Sequence, residues 1–463
     1  MDLFGKRINI INILAVIFSG VFFLCGALVS INRYWQFDVW YYDFGIFNQA
    51  IWSVSRFKSP IIDHFIVPGK IIFADHFNPS IFLISPLYWI TDRAEILLIA
   101  QAFFVAISGF ILYLVGIKLL KDKLSSLFVM LSYFLFTGLQ NAVITEFHEL
   151  AIMTPFLSLL YYSYTTKRKK LFILSLLFLL GFKESLFALG IGVGFFVFFS
   201  RKEWRKIALF TILYSIFWAF LTIKVIIPYF SGQGYYYSPQ LSLYTLFTDS
   251  GLKLKTLFFS FGTFLFLPLG AIWLYLLFFL HFAARFFSDG STRWGLGLHY
   301  SAEIAPSLVF GALITLQKIK KVFSIKCVRI ISFCMLFVSF FLFRFILHGP
   351  FLLGVHPIFY QHSKDFSYLE KLIKKIPPNT SIAAQNNLAL RFYKQRSYIL
   401  TDTYEKNNPE YIFMDMRPGQ NPNNFLGIKD EKQLLERIKL DSTYKIYLHE
   451  GDQFIFKKIS YLK

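Results

Sequence analysis

Long apolar runs separated by short polar segments make up the chain as far as about residue 347. The first run extends from about residue 8 to 31, and a helix of about 20 apolar residues is long enough to cross a bilayer. None of the runs alternates between apolar and polar positions as the strands of a membrane barrel do. The pattern therefore predicts an all-α polytopic membrane protein.

Tracing the apolar runs from one side of the membrane to the other gives about eleven transmembrane helices. Their expected positions are 8–31, 96–117, 124–139, 151–165, 171–182, 186–199, 207–227, two within 254–286, 302–317 and 327–347. Residues 254–286 fit either one long span or a hairpin broken near Pro268 and Gly270. The basic loop 318–326 must lie on the cytoplasmic side, and this favours the hairpin.

The N-terminal part of the chain predicts a helix followed by a long outer loop. The first run is too long for a cleaved signal peptide, so we expect a retained helix with Lys6 and Arg7 in the cytoplasm. Residues 32–79 then form an outer loop. Within it, residues 44–56 are expected to form a short interfacial helix anchored by Trp52.

Two more segments are placed on the outer side. Residues 80–90 are apolar but too short to span, which predicts a re-entrant or interfacial piece. A Tyr-rich loop, which includes Tyr235, Tyr236 and Tyr237, extends to about residue 253.

Short mixed runs replace the long apolar ones after the last span. Residues 411–415 and 444–448 resemble strands, and residues 365–375 have the pattern of an amphipathic helix. We therefore divide the chain into a transmembrane domain, 1–347, and a small soluble extracytoplasmic α/β domain, 348–463.

Composition and charge agree with a membrane protein. Hydrophobic residues make up 56% of the 463 residues and the mean hydropathy is +0.53, whereas a soluble chain needs more polar surface. The net charge is +20, but the basic residues cluster in short loops between apolar runs, as cytoplasmic loops require. We therefore expect no nucleic-acid partner.

Cys25, Cys327 and Cys334 lie in apolar runs and show neither disulfide nor metal-ligand spacing.

Five polar segments fall on the outer side of this topology. They are Asp38 with Asp43, the segment 75–79, the segment 146–149, Lys183 with Glu184, and the segment 299–303. Ionisable groups at membrane depth are costly, so their placement on one side predicts a shared functional cavity.

Asp43 is the first candidate for chemistry. Tyr42 and Phe44 flank it, and partial desolvation by aromatic side chains favours the neutral carboxyl and raises its basicity. Such a carboxylate suits a general base that deprotonates an acceptor hydroxyl. The alternative is structural: Asp43 would cap the N-terminus of the helix at 44–56.

A divalent cation, Mg²⁺ or Mn²⁺, is a candidate cofactor, because mixed carboxylate and imidazole ligands suit Mn²⁺. Its candidate ligands are Asp75, His76, Glu146 and Glu149. Glu146 and Glu149 are spaced i, i+3 and would share a helix face, with His148 off that face. These five side chains are equally candidates for positioning an acceptor. The alternative for Asp75 and His76 is a hydrogen-bonded loop.

Lys183 and Glu184 are adjacent and predict either a buried ion pair or a site for a donor phosphate. Arg285, Arg293 and His299 are further phosphate candidates. The sequence contains no nucleotide-binding loop, dinucleotide fingerprint or zinc-protease motif.

The segment 42–49, YDFGIFNQ, resembles the signature Y-D-x-G-I-F-x-Q of a large uncharacterised family of prokaryotic predicted membrane proteins. The resemblance covers most of the chain and continues at 76–79, 146–148, 183–185, 299–301 and 376–415. That family is similar to the GT-C glycosyltransferase superfamily, which includes protein mannosyltransferases and the lipid A aminoarabinose transferase.

The resemblance implies a GT-C-like fold in a prokaryotic inner membrane, with Asp43 as the catalytic aspartate of the first outer loop and a polyprenyl-phosphate-linked sugar as donor. Ser185 replaces an aspartate that is usual in the family, which puts any metal role of that turn in doubt. The sequence therefore predicts an inverting transfer of a sugar to a glycan, lipid or protein acceptor. A transporter or flippase for a lipid-linked glycan is the first alternative, and a non-catalytic membrane receptor for a glycan is the second.

Overall fold

The computed structural model describes residues 9–64, 66–237, 242–422 and 427–461. The basic N-terminal residues Lys6 and Arg7, which were expected in the cytoplasm, lie outside the described residues. So does part of the Tyr-rich loop, residues 238–241. The α-helices of the described residues are α1 (Ile10–Trp35), α2 (Ile46–Ser55), α3 (Glu95–Leu120), α4 (Lys123–Leu135), α5 (Thr137–Ile144), α6 (Glu149–Ile152), α7 (Thr154–Thr165), α8 (Lys169–Leu180), α9 (Phe187–Ser200), α10 (Arg205–Phe220), α11 (Ile227–Ser231), α12 (Leu243–Phe247), α13 (Ser250–Gly262), α14 (Tyr275–Phe286), α15 (Ala305–Val322), α16 (Ile325–Phe341), α17 (Asp365–Ile373), α18 (Asn386–Ala389) and α19 (Glu431–Leu440).

Several of these helices are long and apolar enough to cross a membrane. Within the described ranges, five helical segments meet this condition: Ile10–Trp35, Glu95–Leu120, Lys202–Ser231, His299–Val322 and Ile325–Ile346. The pair α4 and α5, bent by 53°, would make a sixth. The prediction of a helical membrane protein is therefore confirmed. The number of about eleven spans stays a prediction, because helices such as α8 and α9, with 12 and 14 residues, are shorter than a bilayer is thick.

Residues 254–286 form two helices rather than one span. Pro268 lies in a short 3₁₀ turn, Leu267–Gly270, between α13 and α14. The ring of Phe261 near the end of α13 contacts the ring of Phe278 in α14, with centroids 5.3 Å apart. Residues 254–286 therefore contain the break expected near Pro268 and Gly270, and the prediction that the two helices are two membrane spans stays a prediction.

The outer loop has the short helix that its sequence predicts, preceded by an irregular turn. Residues Tyr41–Gly45 form a π-helical turn that leads directly into α2. Two short antiparallel strands follow, β1 (Ile61–Ile62) and β2 (Lys70–Ile71). The apolar segment predicted at 80–90 is a 3₁₀ helix, Pro79–Trp89, and it packs on α2.

The C-terminal region contains a small mixed sheet, as the sequence predicts. Its strands are β3 (Ile382–Ala384), β4 (Ser397–Ile399), β5 (Tyr411–Asp415), β6 (Tyr444–Glu450) and β7 (Gln453–Lys458). Their order in the sheet is β4-β3-β5-β7-β6, in which β3 is parallel to β4 and β5, and β7 is antiparallel to β5 and β6. All five residues of β5 are buried, as expected for the central strand.

One continuous hydrophobic core joins the membrane helices to one face of this sheet. Leu369 of α17 and Phe413 of β5 belong to the same buried cluster as the helices of the transmembrane region. The guanidinium of Arg391 lies 3.4 Å from the ring centroid of Tyr34 near the end of α1. The C-terminal region is therefore packed against the outer loop rather than suspended from the last helix.

Candidate active site

The outer loop, the segment before α6, the turn after α8 and the segment before α15 surround a cavity of 540 Å³. Most of the residues that the sequence predicts for the site line it: Asp43, Asp75, His76, Glu146, His148, Lys183, Arg285, Arg293 and His299. The remaining two, Glu149 and Glu184, are fully buried and contact lining residues from behind. Five polar segments that lie far apart in the sequence thus meet in one cavity.

Asp43 lies in the π-helical turn Tyr41–Gly45. The turn is closed by Gly45, where a Cβ atom would lie 2.3 Å from a ring carbon of Tyr41. Gly45 is also the N-cap of α2, and no side chain makes a capping hydrogen bond there. The expectation that Asp43 caps this helix is therefore wrong, because the π turn places its side chain away from the free N–H groups of α2.

The carboxylate of Asp43 is half-buried and faces the cavity. It accepts no hydrogen bond from the residues that the structure describes. Burial raises its pKa to about 6, although the positive charge of Lys183 opposes this shift. Asp43 is therefore ionised at neutral pH, and its basicity exceeds that of an ordinary aspartate.

Glu146 holds the same turn from the opposite side. Its Oε2 atom accepts a hydrogen bond from the backbone N–H of Phe44 at 3.0 Å. Burial, and then the nearby charge of Asp43, raise the pKa of Glu146 well above its ordinary value. Gln101 of α3 fixes this segment, since its amide donates to the carbonyl of Glu146 at 2.6 Å and its Oε1 accepts the N–H of His148 at 2.7 Å.

The segment 145–148 is not helical, so Glu146 and Glu149 do not share a helix face as their spacing predicts. Glu149 instead begins α6 and turns behind the cavity. Its Oε1 atom pairs with Nζ of Lys183 at 2.7 Å. The prediction of an ion pair between Lys183 and Glu184 is therefore wrong. Burial lowers the pKa of Lys183, but Glu149 and then Glu184 outweigh it and raise that pKa, so Lys183 is charged.

We call His76, Glu184, Asp75, Tyr235 and Tyr237 the His76–Glu184 corner. Glu184 lies 2.8 Å from Nδ1 of His76, and it accepts hydrogen bonds from the hydroxyl of Tyr235 at 2.5 Å and from the N–H of Phe77 at 3.1 Å. Asp75 accepts a hydrogen bond from Tyr237 at 2.8 Å. Burial lowers the pKa of His76, but Glu184 outweighs it and raises that pKa.

Tyr235 and Tyr237 are functional candidates that were not predicted as site residues from the sequence. The ring of Tyr237 stacks on the ring of His76, with centroids 4.5 Å apart. Only the Tyr-rich composition of the outer loop signalled them, and composition does not reveal which carboxylates they reach.

The two predicted phosphate-binding arginines differ. Arg285 donates to the carbonyls of Arg293 and Gly295, each at 2.7 Å, and its third nitrogen lies 3.2 Å from Nε2 of His281. The donors of the Arg285 guanidinium are therefore occupied by the loop at residues 293–295. Arg293 makes one long hydrogen bond, 3.4 Å, to Ser288 among the described residues. Arg293 is the arginine whose donors remain open to the cavity.

Histidines line the same side of the cavity. His148 stacks on His299 with ring centroids 3.4 Å apart. Burial, and then His299, lower the pKa of His148 well below its ordinary value, so His148 is neutral. His281 also lines the cavity, 3.5 Å from Glu303. His281 was not predicted as a site residue from the sequence, although its i, i+4 spacing to Arg285 places both on one helix face.

The predicted metal ligands lie in or next to one cavity, but their side chains do not converge on a common position where a metal ion could bind. Asp75 is held by Tyr237, His76 by Glu184, and Glu149 by Lys183. Within the residues that the structure describes, no group of three or more His, Cys, Asp or Glu side chains is arranged to hold a metal ion. This donor set does not fit a divalent cation in its present arrangement, and dependence on Mg²⁺ or Mn²⁺ stays a prediction.

The chain belongs to the family described as predicted membrane protein (DUF2079), whose family model matches residues 33–455. This confirms the resemblance that the segment 42–49 indicated. The search of curated proteins gives no match.

The fold is similar to that of two crystal structures of ArnT from Cupriavidus metallidurans. One is bound to undecaprenyl phosphate; it is 10% identical, with a TM-score of 0.57, covering 96% of this chain and 97% of that chain. The other is the apo state; it is 11% identical, with a TM-score of 0.52, covering 93% and 96%. At these identities the similarity shows the fold alone.

Proposed function

We propose that this protein is a membrane glycosyltransferase that moves a sugar from a polyprenyl-phosphate donor to an acceptor outside the membrane, with Asp43 as general base. One observation carries the proposal. A carboxylate with a pKa near 6 and no hydrogen-bond partner among the described residues lies in a cavity that is also lined by Lys183 and Arg293. Such a transfer requires a base for the acceptor hydroxyl and positive charge for the leaving phosphate. Asp43 provides the first, and Lys183 and Arg293 provide the second.

The similarity to ArnT supports the class of donor. That structure holds undecaprenyl phosphate, and its fold matches 96% of this chain. A lipid-linked donor also accounts for a charged cavity among membrane helices, because the isoprenoid tail remains in the bilayer while the phosphate reaches the cavity. Charged groups at this depth are otherwise costly.

The residues of the cavity suggest a single displacement at the sugar. An acceptor hydroxyl attacks the anomeric carbon while Asp43 takes the hydroxyl proton. The bond between this carbon and the donor phosphate oxygen breaks, the electron pair leaves with polyprenyl phosphate, and the anomeric configuration inverts. Arg293 and Lys183 stabilise the charge of the departing phosphate.

The other predicted residues have supporting roles in this proposal. Glu146 fixes the backbone of the Asp43 turn through Phe44. Glu149 orients Lys183 from behind the cavity. The stacked rings of His148 and His299 form a flat surface against which a sugar ring can pack.

The test uses the purified protein reconstituted in liposomes. Undecaprenyl-phosphate-linked sugars, labelled in the sugar, are supplied with a cell-envelope extract as the source of acceptors. We expect labelled acceptor and free undecaprenyl phosphate to form together. The Asp43→Asn variant should transfer no label but should still bind undecaprenyl phosphate. Asp38→Asn is the matched control, because Asp38 is in the same loop and pairs with Arg33 at 2.8 Å outside the cavity.

Two outcomes would contradict the proposal. Full transfer by Asp43→Asn would eliminate Asp43 as the base. Movement of the labelled lipid across the bilayer without transfer would instead indicate a flippase.

A further inference from the structure

The backbone of the Asp43 turn is held by side chains from two distant parts of the chain. On one side, the N–H of Phe44 donates to Glu146 at 3.0 Å. On the other side, the N–H of Tyr42 donates to Oδ1 of Asn386 at 3.1 Å. These two N–H groups flank Asp43. Since Asp43 itself accepts no hydrogen bond from the described residues, its position depends on its two neighbours in the chain.

Asn386 is presented rigidly by the C-terminal sheet. It begins α18, separated from the end of β3 by one residue, and it is 1% exposed. The preceding residue, Gln385, accepts a hydrogen bond from the N–H of Asp415 in β5 at 2.7 Å and donates one to Glu431 of α19 at 2.7 Å. The β3–α18 junction is thus tied to both the centre of the sheet and its covering helix.

More contacts fix this sheet to the outer loop. Asp63 of the outer loop accepts hydrogen bonds from the guanidinium of Arg396 at 2.8 Å and from the N–H of Ser397 at 3.2 Å. Gln49 donates to Asp63 at 3.3 Å and to the carbonyl of Gln395 at 3.2 Å. Gln49 and Asp63, which both follow Asp43 in the chain, therefore join the outer loop to the start of the edge strand β4.

The side chain of Asn386 is also incompletely satisfied. Its Nδ2 donor is buried and has no partner among the residues that the structure describes. A buried donor without a partner lowers stability. Among the described residues, the side chain of Asn386 therefore makes one hydrogen bond, to the N–H of Tyr42.

We propose that Asn386 is a positioning residue through which the C-terminal domain completes the active site of the enzyme. It holds the N–H of Tyr42 and thereby sets the place of the Asp43 carboxylate in the cavity. The inference deepens the proposed glycosyltransferase function and rests on it for the consequence in catalysis. The hydrogen bond itself can be tested without any transfer assay.

The test compares Asn386→Ala with Asn387→Ala in the full-length protein in detergent. Asn387 is the matched control, because it is fully buried in the same helix but bonds to Gln420 of its own domain at 3.2 Å. Hydrogen exchange is measured by mass spectrometry on peptides that cover residues 41–45. We expect faster exchange in Asn386→Ala, and exchange as in the wild type in Asn387→Ala. Asn386→Asp, which retains an acceptor, should restore the protection.

The catalytic arm measures transfer from labelled undecaprenyl-phosphate-linked sugar. We expect kcat of Asn386→Ala to fall about 10- to 100-fold with an unchanged KM for the donor, because displacing a reacting group by about 1 Å has effects of this size. If Asn386→Ala does not fold, Asn386→Ser, which is too short to reach Tyr42, replaces it. Midpoints of thermal unfolding are recorded for each variant.

The outcomes separate this inference from the proposed function. Equal exchange in all variants, or faster exchange with unchanged kcat, would overturn the positioning role. If the wild-type protein transfers no sugar, the proposed function fails, and the exchange data alone decide whether Asn386 holds the turn.

Discussion

The turn that carries Asp43 and the His76–Glu184 corner are two acidic regions of one cavity, and they differ in how far the protein satisfies their carboxylates. Glu184 is fully buried and has three partners: His76, Tyr235 and the N–H of Phe77. Asp43 is half-buried and has no hydrogen-bond partner among the described residues. The protein holds the backbone around Asp43 firmly but leaves its side chain open.

This difference indicates which carboxylate can do chemistry. A saturated carboxylate must break existing hydrogen bonds before it accepts a proton from a substrate, which costs free energy. An open one, with its pKa raised by burial, needs only the substrate. The same contrast separates Arg285, whose donors are occupied by backbone carbonyls, from Arg293. We therefore expect substitutions in the two regions to affect different measurements.

The largest expected effect is the pH dependence of transfer. Asp43, with a pKa of about 6, must be ionised to act as base, so protonation removes activity. We expect kcat to fall about tenfold per pH unit below that pKa, a loss of about 100-fold at two units below. The measurement is the rate of label transfer from acidic to neutral pH. If kcat does not change with pH in this range, Asp43 is not the general base. The contrast between the two acidic regions would then have no consequence for catalysis.

The next effect concerns Glu184→Gln, for which we expect a loss of stability of about 2 kcal/mol, because buried bonds to a charged group are weakened. The loss should depend on pH. The folded-state pKa of His76 is raised by Glu184, so the stability gained from this pair is complete below the unfolded pKa of about 6.5. That stability is lost as the pH rises through the folded value.

The measurement is the midpoint of thermal unfolding of both proteins at acidic and alkaline pH. The difference between them should be largest at mildly acidic pH, where His76 is charged and Glu184 is ionised, and smaller at alkaline pH. A variant as stable as the wild type that transfers no sugar would assign the catalytic role to this corner instead.

The two arginines provide a third comparison. Arg293→Ala should weaken the binding of undecaprenyl phosphate about tenfold, since it removes a charge-assisted contact. Arg285→Ala should mainly lower the midpoint of thermal unfolding, because it leaves the carbonyls of Arg293 and Gly295 without their donors. Binding is measured by titration of the reconstituted variants with the lipid. Weaker lipid binding in Arg285→Ala, with normal binding in Arg293→Ala, would contradict this assignment. It would show that Arg285 leaves its backbone carbonyls to bind the phosphate.

The smallest effect is expected for Glu146→Gln. The raised pKa of Glu146 favours the protonated acid, and glutamine is a neutral analogue that can still accept the N–H of Phe44. We expect kcat within about threefold of the wild type, whereas Glu146→Ala should lose more, because it leaves that N–H unpaired. A large loss in Glu146→Gln would mean that Glu146 shares the catalytic proton with Asp43.

Much of the fold could be predicted from the sequence, because hydrophobic patterns act locally. The apolar run at 8–31 is helix α1, residues 254–286 contain the break at Pro268, and the strand at 411–415 is β5. The number of spans was harder to predict. Helices such as α8 and α9 are shorter than a bilayer, and periodicity does not distinguish such a helix from a spanning one.

The sequence also predicted that the polar segments share a cavity, from a topology based on charge and hydrophobicity, and residues of all five predicted segments line one cavity. It could not assign partners within the cavity. Neighbours in the chain, such as Lys183 and Glu184, point to different partners, Glu149 and His76. Side chains distant in sequence, such as Tyr235, complete the site.

By itself, then, the sequence determined a helical chain with several apolar membrane helices, a C-terminal sheet and Asp43 as the residue of interest. The tertiary structure alone decided that Asp43 is open while Glu184 is saturated, and that Asn386 reaches Tyr42 across more than three hundred residues. The physical reason is that hydrophobic periodicity depends on neighbours along the chain. Hydrogen-bond partnership and desolvation depend on neighbours in space.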